Sequence, residues 1–290
     1  MSLEKQKDIP KIITFAIPII LVFAIYFTFQ MEISIYWDQL FAESMIKIKR
    51  ASYTFTYFNY DLIRFKSIWI INYSLFFISA LTLVNIKKIR NKQFELINNV
   101  LIVSVLFVFL SAGLYVLSEL RDSYLHQIFS NYYPKQALNL WIRYISFLFV
   151  SFLLYASYQV VKQNTLQRIY KMAFELLLHT TILWILSSEL INWMDIAHSD
   201  QSYKLGLSIL WGLYSLFLIV VGIWKNNRPM RIGAITLFGL TLIKLFFYDI
   251  SHLNTIAKTI VFVSLGVLLL IISFLYNKYK HLITDDFSES

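Results

Sequence analysis

Eight apolar runs, each close to twenty residues long, decide what this chain can become. Crossing a hydrocarbon core of about 30 Å takes about 20 helical residues. Within lipid only a helix or a closed barrel satisfies its own backbone hydrogen bonds. The runs fall at 11–29, 67–86, 97–119, 139–161, 172–192, 205–224, 231–249 and 256–277. A soluble chain of 290 residues has no interior able to bury them all. The fold expected is therefore all-α: a polytopic transmembrane helix bundle of about eight spans, forming a single membrane domain over residues 1–280. The acidic, serine-containing end, 281–290, is expected to be a disordered cytoplasmic tail.

Charge supports this. Only 15% of residues are charged, against about 25% in an average soluble domain. The net charge of +9 would suit nucleic acid, but the basic residues sit in short turns between apolar runs and form no soluble basic face. Nucleic acid is accordingly excluded, and membrane lipids are the expected surroundings. Basic residues prefer the cytoplasmic ends of short loops. With the N-terminus inside, 15 of the 26 Lys and Arg residues fall on the inner side and 8 on the outer. This selects an N-in, C-in arrangement. Trp69, Trp141, Trp193 and Trp224 lie at span ends, where an amphipathic indole prefers the headgroup level. Trp184 and Trp211 fall mid-span and are expected to pack between helices.

The N-terminus carries Lys5, Lys7 and Lys11 before the apolar run 12–29. That run exceeds a usual signal-peptide core and no small-x-small cleavage site follows it, so it reads as an uncleaved span. The first outer connection, 30–66, is the only long one. Ile33, Trp37, Leu40, Phe41, Ser44, Met45 and Ile48 recur there at helical spacing, opposite Asp38, Glu43, Lys47 and Arg50. This pattern predicts an amphipathic helix lying in the interface plane.

Ionisable groups inside spans cost a few kcal/mol each and turn toward other helices or water. In the fifth span Glu175, His179 and Glu189 fall within about 80° of one another at 100° per residue. In the third, Ser104, Ser111, Tyr115, Ser118, Glu119 and Asp122 share a face. These stripes suggest a polar cavity open to the outer side, with Glu119, Asp122, His179, Glu189, Lys244, Asp249 and Lys258 as candidate lining. The same residues serve equally well as polar cement between helices. Further charges at outer span ends, among them Arg121, His126, Arg143, Asp195, His198 and His252, form a mixed-charge rim.

No catalytic signature is present: no HExxH helix, GxSxG elbow or Walker A loop. There are no cysteines, which removes disulfides and Cys-based metal sites, and the histidines lack ligand spacing. No cofactor and no metal are expected.

The stretch 208–279 resembles the C-terminal end of an uncharacterised bacterial family of predicted membrane proteins, domain of unknown function 2339. The resemblance rests on a Trp/Tyr-containing span, a short basic turn, the segment LIKLFFYDISHL, a basic residue, and the span FVSLGVLLL ending in Tyr and basic residues. By that pattern Lys244, Asp249 and Lys258 occupy matching positions, and Glu189 in LSSEL matches an acidic position of an earlier span. The usual arginine before the last span is Lys258 here, which lacks the bidentate fork. Longer members of the family would correspond to this chain through their C-terminal part. The resemblance implies a bacterial cytoplasmic (inner) membrane and supplies no activity.

Three functions remain open on these grounds. The first is binding or transport of a small solute or anionic headgroup. The second is an outer-face enzyme acting on a lipid-linked substrate, with Glu32 or Asp38 as its carboxylate. The third is an accessory subunit with a partner in the membrane.

Overall fold

A computed structural model describes residues 11–50, 53–89, 92–126, 132–134, 136–163, 167–198, 203–245, 247 and 255–278. The expected tail and Asp249 lie outside the described residues. The chain divides into two compact units, Met1–Val160 and Val161–Ser290.

The first unit opens with α1, Lys11–Glu43. Thirty-three residues at about 1.5 Å each make a helix of about 50 Å, longer than the hydrocarbon core it would cross. The segment expected to form a separate interfacial helix is instead the continuation of α1 as far as Glu43. Its last residues enter a β-hairpin, β1 Ile46–Arg50 against β2 Tyr53–Tyr57, antiparallel with Ile46 opposite Tyr57. Lys47-Ile48-Lys49 and Tyr53-Thr54-Phe55-Thr56 alternate with period two, as strands do. Helical spacing holds to Phe41 and gives way after it.

Helix α2, Asp61–Val84, is the unit's centre and runs into a π-helical turn, Asn85–Ile89. Helix α3, Lys92–Val108, a second π-helical turn, Phe109–Gly113, and α4, Leu114–His126, together make the expected third span. Helix α5, Leu138–Gln163, closes the unit. Phe65, Ile68, Leu75, Phe109, Leu117, Leu120, Ile142 and Leu153 are all but completely buried. Helix α1 meets α2 through aromatics: Tyr26 stacks on Tyr73 and bonds Ser74 Oγ at 2.8 Å, and Trp37 stacks on Phe65. Its other sides are exposed, which suits lipid.

The second unit holds α6 Gln167–Ile196, α7 Tyr203–Trp224, α8 Arg228–Lys244 and α9 Thr255–Lys278. Helices α7 and α8 form a tight antiparallel pair joined by a turn in which Asn226 takes a left-handed conformation, φ 47°. Asparagine tolerates that region better than most residues. The pair is close because Gly222 has no side chain: a Cβ there would stand 2.8 Å from Arg231 Cγ and 3.2 Å from Arg231 N. Tyr214, Leu218, Ile219 and Ala234 form the core, against Ile182, Leu183 and Leu237.

Six of the described helical stretches are long and apolar enough to cross a membrane. Two of the eight expected spans, 231–249 and 256–277, fall on α8 and α9 and are not among those six. Helix α8 has 17 residues, about 25 Å of rise against a core of about 30 Å.

Candidate functional site

Each unit carries a polar constellation. In the first unit it gathers where α2 and α5 begin and α4 ends. Arg64 donates to Asp61 on its own helix at 2.9 Å and to Glu119 of α4 at 2.8 Å. The second Asp61 oxygen accepts from Ser123 at 2.7 Å and from Asn139 of α5 at 2.9 Å. Arg121 holds Asp122 through Nε and Nη2, at 3.0 and 2.8 Å. Arg121 and Arg143 are both buried, and Arg143 lies over the Phe147 ring at 5.9 Å. Lys66 grips both oxygens of Asp38 at 2.8 Å. Next to the hairpin, the Tyr133 hydroxyl donates to the Ser44 carbonyl at 2.8 Å, and burial pushes its phenol above the usual tyrosine range.

Each of these carboxylates answers a cation: Asp61 and Glu119 share Arg64, Asp122 takes Arg121, and Asp38 takes Lys66. A carboxylate already held by an arginine, a hydroxyl and an amide offers little to a solute. The arrangement reads as a clamp joining three helix ends. Glu119 and Asp122, expected to line a cavity, each answer an arginine of their own unit. Asp61, Arg64 and Asn139 were not singled out from sequence, because their significance lies in which helices meet.

The second unit contains a cavity of about 210 Å³ between α6, α7 and α8. Its walls are largely apolar, with Met172, Leu183, Leu218, Met230 and Leu237. Its polar side chains are Glu175, His179, Thr180 and Tyr214. Glu175 and His179 are one turn apart on α6, so both face the same way. Tyr214 Oη of α7 lies 2.9 Å from His179 Nδ1 and 3.4 Å from the His179 carbonyl. Either tautomer therefore leaves Nε2 as the ring nitrogen available to a ligand. Glu175 accepts from Asn227 Nδ2, whose Oδ1 caps α8 by accepting the Met230 amide at 3.4 Å. The site is thus an apolar recess with a hydrogen-bonding rim on one side.

The expected residues of the second unit separate into two levels. His179 lines the cavity. Lys244, at the other end of the α7–α8 pair, donates to Ser208 at 2.8 Å. Glu189 belongs to that same far end, since Ser187 accepts from Trp211 and Leu190 lies against Gly206. His179 and Glu189 are ten residues apart on one helix, about 15 Å. Lys258 is partly buried on α9. The helical face of Glu175 and His179 was legible, but their partners Tyr214 and Asn227 were not. Among the described residues, no group of three or more His, Asp or Glu side chains is placed to hold a metal ion.

No curated protein and no solved structure matches the chain. A family model does, over residues 49–279, which takes in most of both units and extends far beyond the resemblance at 208–279. The chain belongs to the family described as "Predicted membrane protein (DUF2339)".

Proposed function

We propose that this membrane protein binds a small amphipathic molecule, a solute or a lipid headgroup with its adjoining chain, in the cavity between α6, α7 and α8. One observation carries the reading: an apolar recess of about 210 Å³ bordered on one side by Glu175, His179 and Tyr214. Ligand sites are mostly apolar with a few placed polar groups, and span roughly 300 to 1,000 Å³. A smaller recess takes a small ligand or one segment of a larger one.

Lys171, Lys225 and Arg228 surround this end of the unit. By the preference of basic residues for the cytoplasmic side, the cavity belongs to the inner leaflet of a bacterial cytoplasmic membrane. That is opposite to the outward opening suggested by the polar stripes alone. The surrounding cations favour an anionic headgroup, with its apolar portion entering the recess.

Of the two carboxylates of the enzyme reading, Glu32 and Asp38, the second is paired with Lys66 at 2.8 Å. Native mass spectrometry tests the proposal. Protein released from bilayers of anionic and zwitterionic phospholipid is expected to retain an anionic lipid or a small solute, and His179→Leu is expected to shed it. Equal retention by wild type and variant would defeat the reading.

A further inference from the structure

Asn72 stands in the middle of α2 with zero exposure, and neither its Nδ2 nor its Oδ1 has a partner among the protein's own groups. Two bonds fix what surrounds it. Thr82 of α2 accepts from Asn98 of α3 at 2.6 Å, and Arg64 of α2 donates to Glu119 of α4 at 2.8 Å. The helices are antiparallel. Asn72 lies ten residues before Thr82 and eight after Arg64, so it is level with Val108 and Ser111. Val108 immediately precedes the π-helical turn Phe109–Gly113 and Ser111 is its middle residue; the turn packs against α2.

The direction of Asn72 follows from helix geometry. At 100° per residue it sits about 20° from Asp61, which reaches Asn139 of α5, and about 80° from Thr82 and Arg64. Asn72 therefore faces the junction of α2, α5 and the π-helical turn. On α5, Ser146 lies about 20° from Asn139 and is fully buried. Its hydroxyl donates to the Ile142 carbonyl at 3.0 Å, which leaves its oxygen free to accept. The neighbouring Phe147 touches Phe109 of the turn.

A π-helical turn inserts one residue into the i→i+4 ladder and takes a backbone carbonyl out of it. Asn72 lies level with this turn and one turn before Phe76, which packs on Phe149 and Phe152 of α5; Ser146 lies one turn before that α5 segment, where no bulk water reaches. The nearest acids along these helices, Asp61 and Glu119, are eleven and eight residues distant, about 12 Å or more. The nearest charge is a cation, the buried Arg143 one turn before Ser146 and over the Phe147 ring, so a ligand here accepts hydrogen bonds as well as donating them. Water, which bridges two to four buried polar groups, has both the donors and the acceptors required. We propose that Asn72, Ser146 and the π-helical turn hold a buried water at the centre of the first unit, which locks the register of three helices.

X-ray hydroxyl-radical footprinting of the full chain in detergent tests this. Phe109 and Phe65 are equally buried, at 0% and 1% exposure. Radicals generated from a resident water are expected to label Phe109 but not Phe65. Asn72→Leu is expected to lose the Phe109 labelling, and Asn72→Ser to keep it. If Phe109 stays as unlabelled as Phe65 in the wild type, the proposal is wrong, whether or not the leucine variant folds. Labelling unchanged in a folded Asn72→Leu protein would overturn it as well.

Discussion

Asn227 ties two helices with one amide: its Nδ2 donates to Glu175 of α6 while its Oδ1 accepts the Met230 amide in the first turn of α8. The rim of the cavity and the start of α8 are therefore set by the same side chain. Asn227→Ala removes both bonds. Losing an N-cap costs about 1 kcal/mol, and a carboxylate stripped of its donor adds about 1–3 kcal/mol. Asn227→Asp keeps a good cap but sets a second carboxylate against Glu175. Thermal unfolding in detergent is expected to rank wild type above both variants. An aspartate variant as stable as the wild type would show that Glu175 does not feel this residue.

Gly222 and Gly239 make a paired test of helix contact. A Cβ at 222 meets Arg231 Cγ at 2.8 Å and its backbone N at 3.2 Å, whereas at 239 nothing lies within 4 Å. Overpacking costs typically about 1–3 kcal/mol, while Gly to Ala in an open helix gains about 0.8–1 kcal/mol. Gly222→Ala should lower the melting temperature and Gly239→Ala should leave it unchanged or raise it. The two outcomes differ in kind, a loss at 222 and none at 239, so a general effect of alanine cannot mimic them.

What was legible in the sequence follows from the solvent. In lipid the length of an apolar run is itself the signal, so the apolar helices α2, α5, α6 and α7 were legible as runs. Even so, α2 begins six residues before its run and α6 extends beyond its run at both ends. The hairpin was not, because Met45 and Ile48 extend the helical spacing of Ile33 to Phe41 even as Lys47-Ile48-Lys49 alternates. The π-helical turn Phe109–Gly113 leaves no mark on a largely apolar pattern. Site residues were legible only as faces of single helices. Glu175 and His179 align by periodicity, but nothing along α6 announces Tyr214 or Asn227. The pairing of Glu119 with Arg64 spans 55 residues, and a single sequence carries no sign of it.

That pairing is open to a double-mutant cycle. Arg64 and Glu119 are each about one third exposed, so water screens them and their coupling should be about 0.5–1 kcal/mol. Arg64→Ala alone should cost more, about 1–3 kcal/mol, because it also deprives the better buried Asp61 of its cation. Glu119→Gln, which leaves Asp61 served by Arg64, Ser123 and Asn139, should cost less. If the two single variants cost the same, Arg64 is not the hub of this clamp.

Gly233 offers the cleanest test of the cavity. It lines the recess, and a Cβ added there meets nothing within 4 Å. Gly233→Phe would therefore project its ring into open space and fill part of the 210 Å³. Replacing a helical glycine also removes a propensity cost of up to about 1 kcal/mol. The variant should fold at least as well as the wild type, so any loss of ligand reflects blocked space. Tyr214→Phe makes the complementary change: it keeps the volume but removes the hydroxyl that engages His179 Nδ1. The expected result in native mass spectrometry is loss of the bound molecule with Gly233→Phe. With Tyr214→Phe the molecule should be retained but weakened, by about tenfold if one net hydrogen bond is lost. Undiminished binding to a folded Gly233→Phe protein would mean that the ligand sits elsewhere and that the recess is a packing defect between three helices.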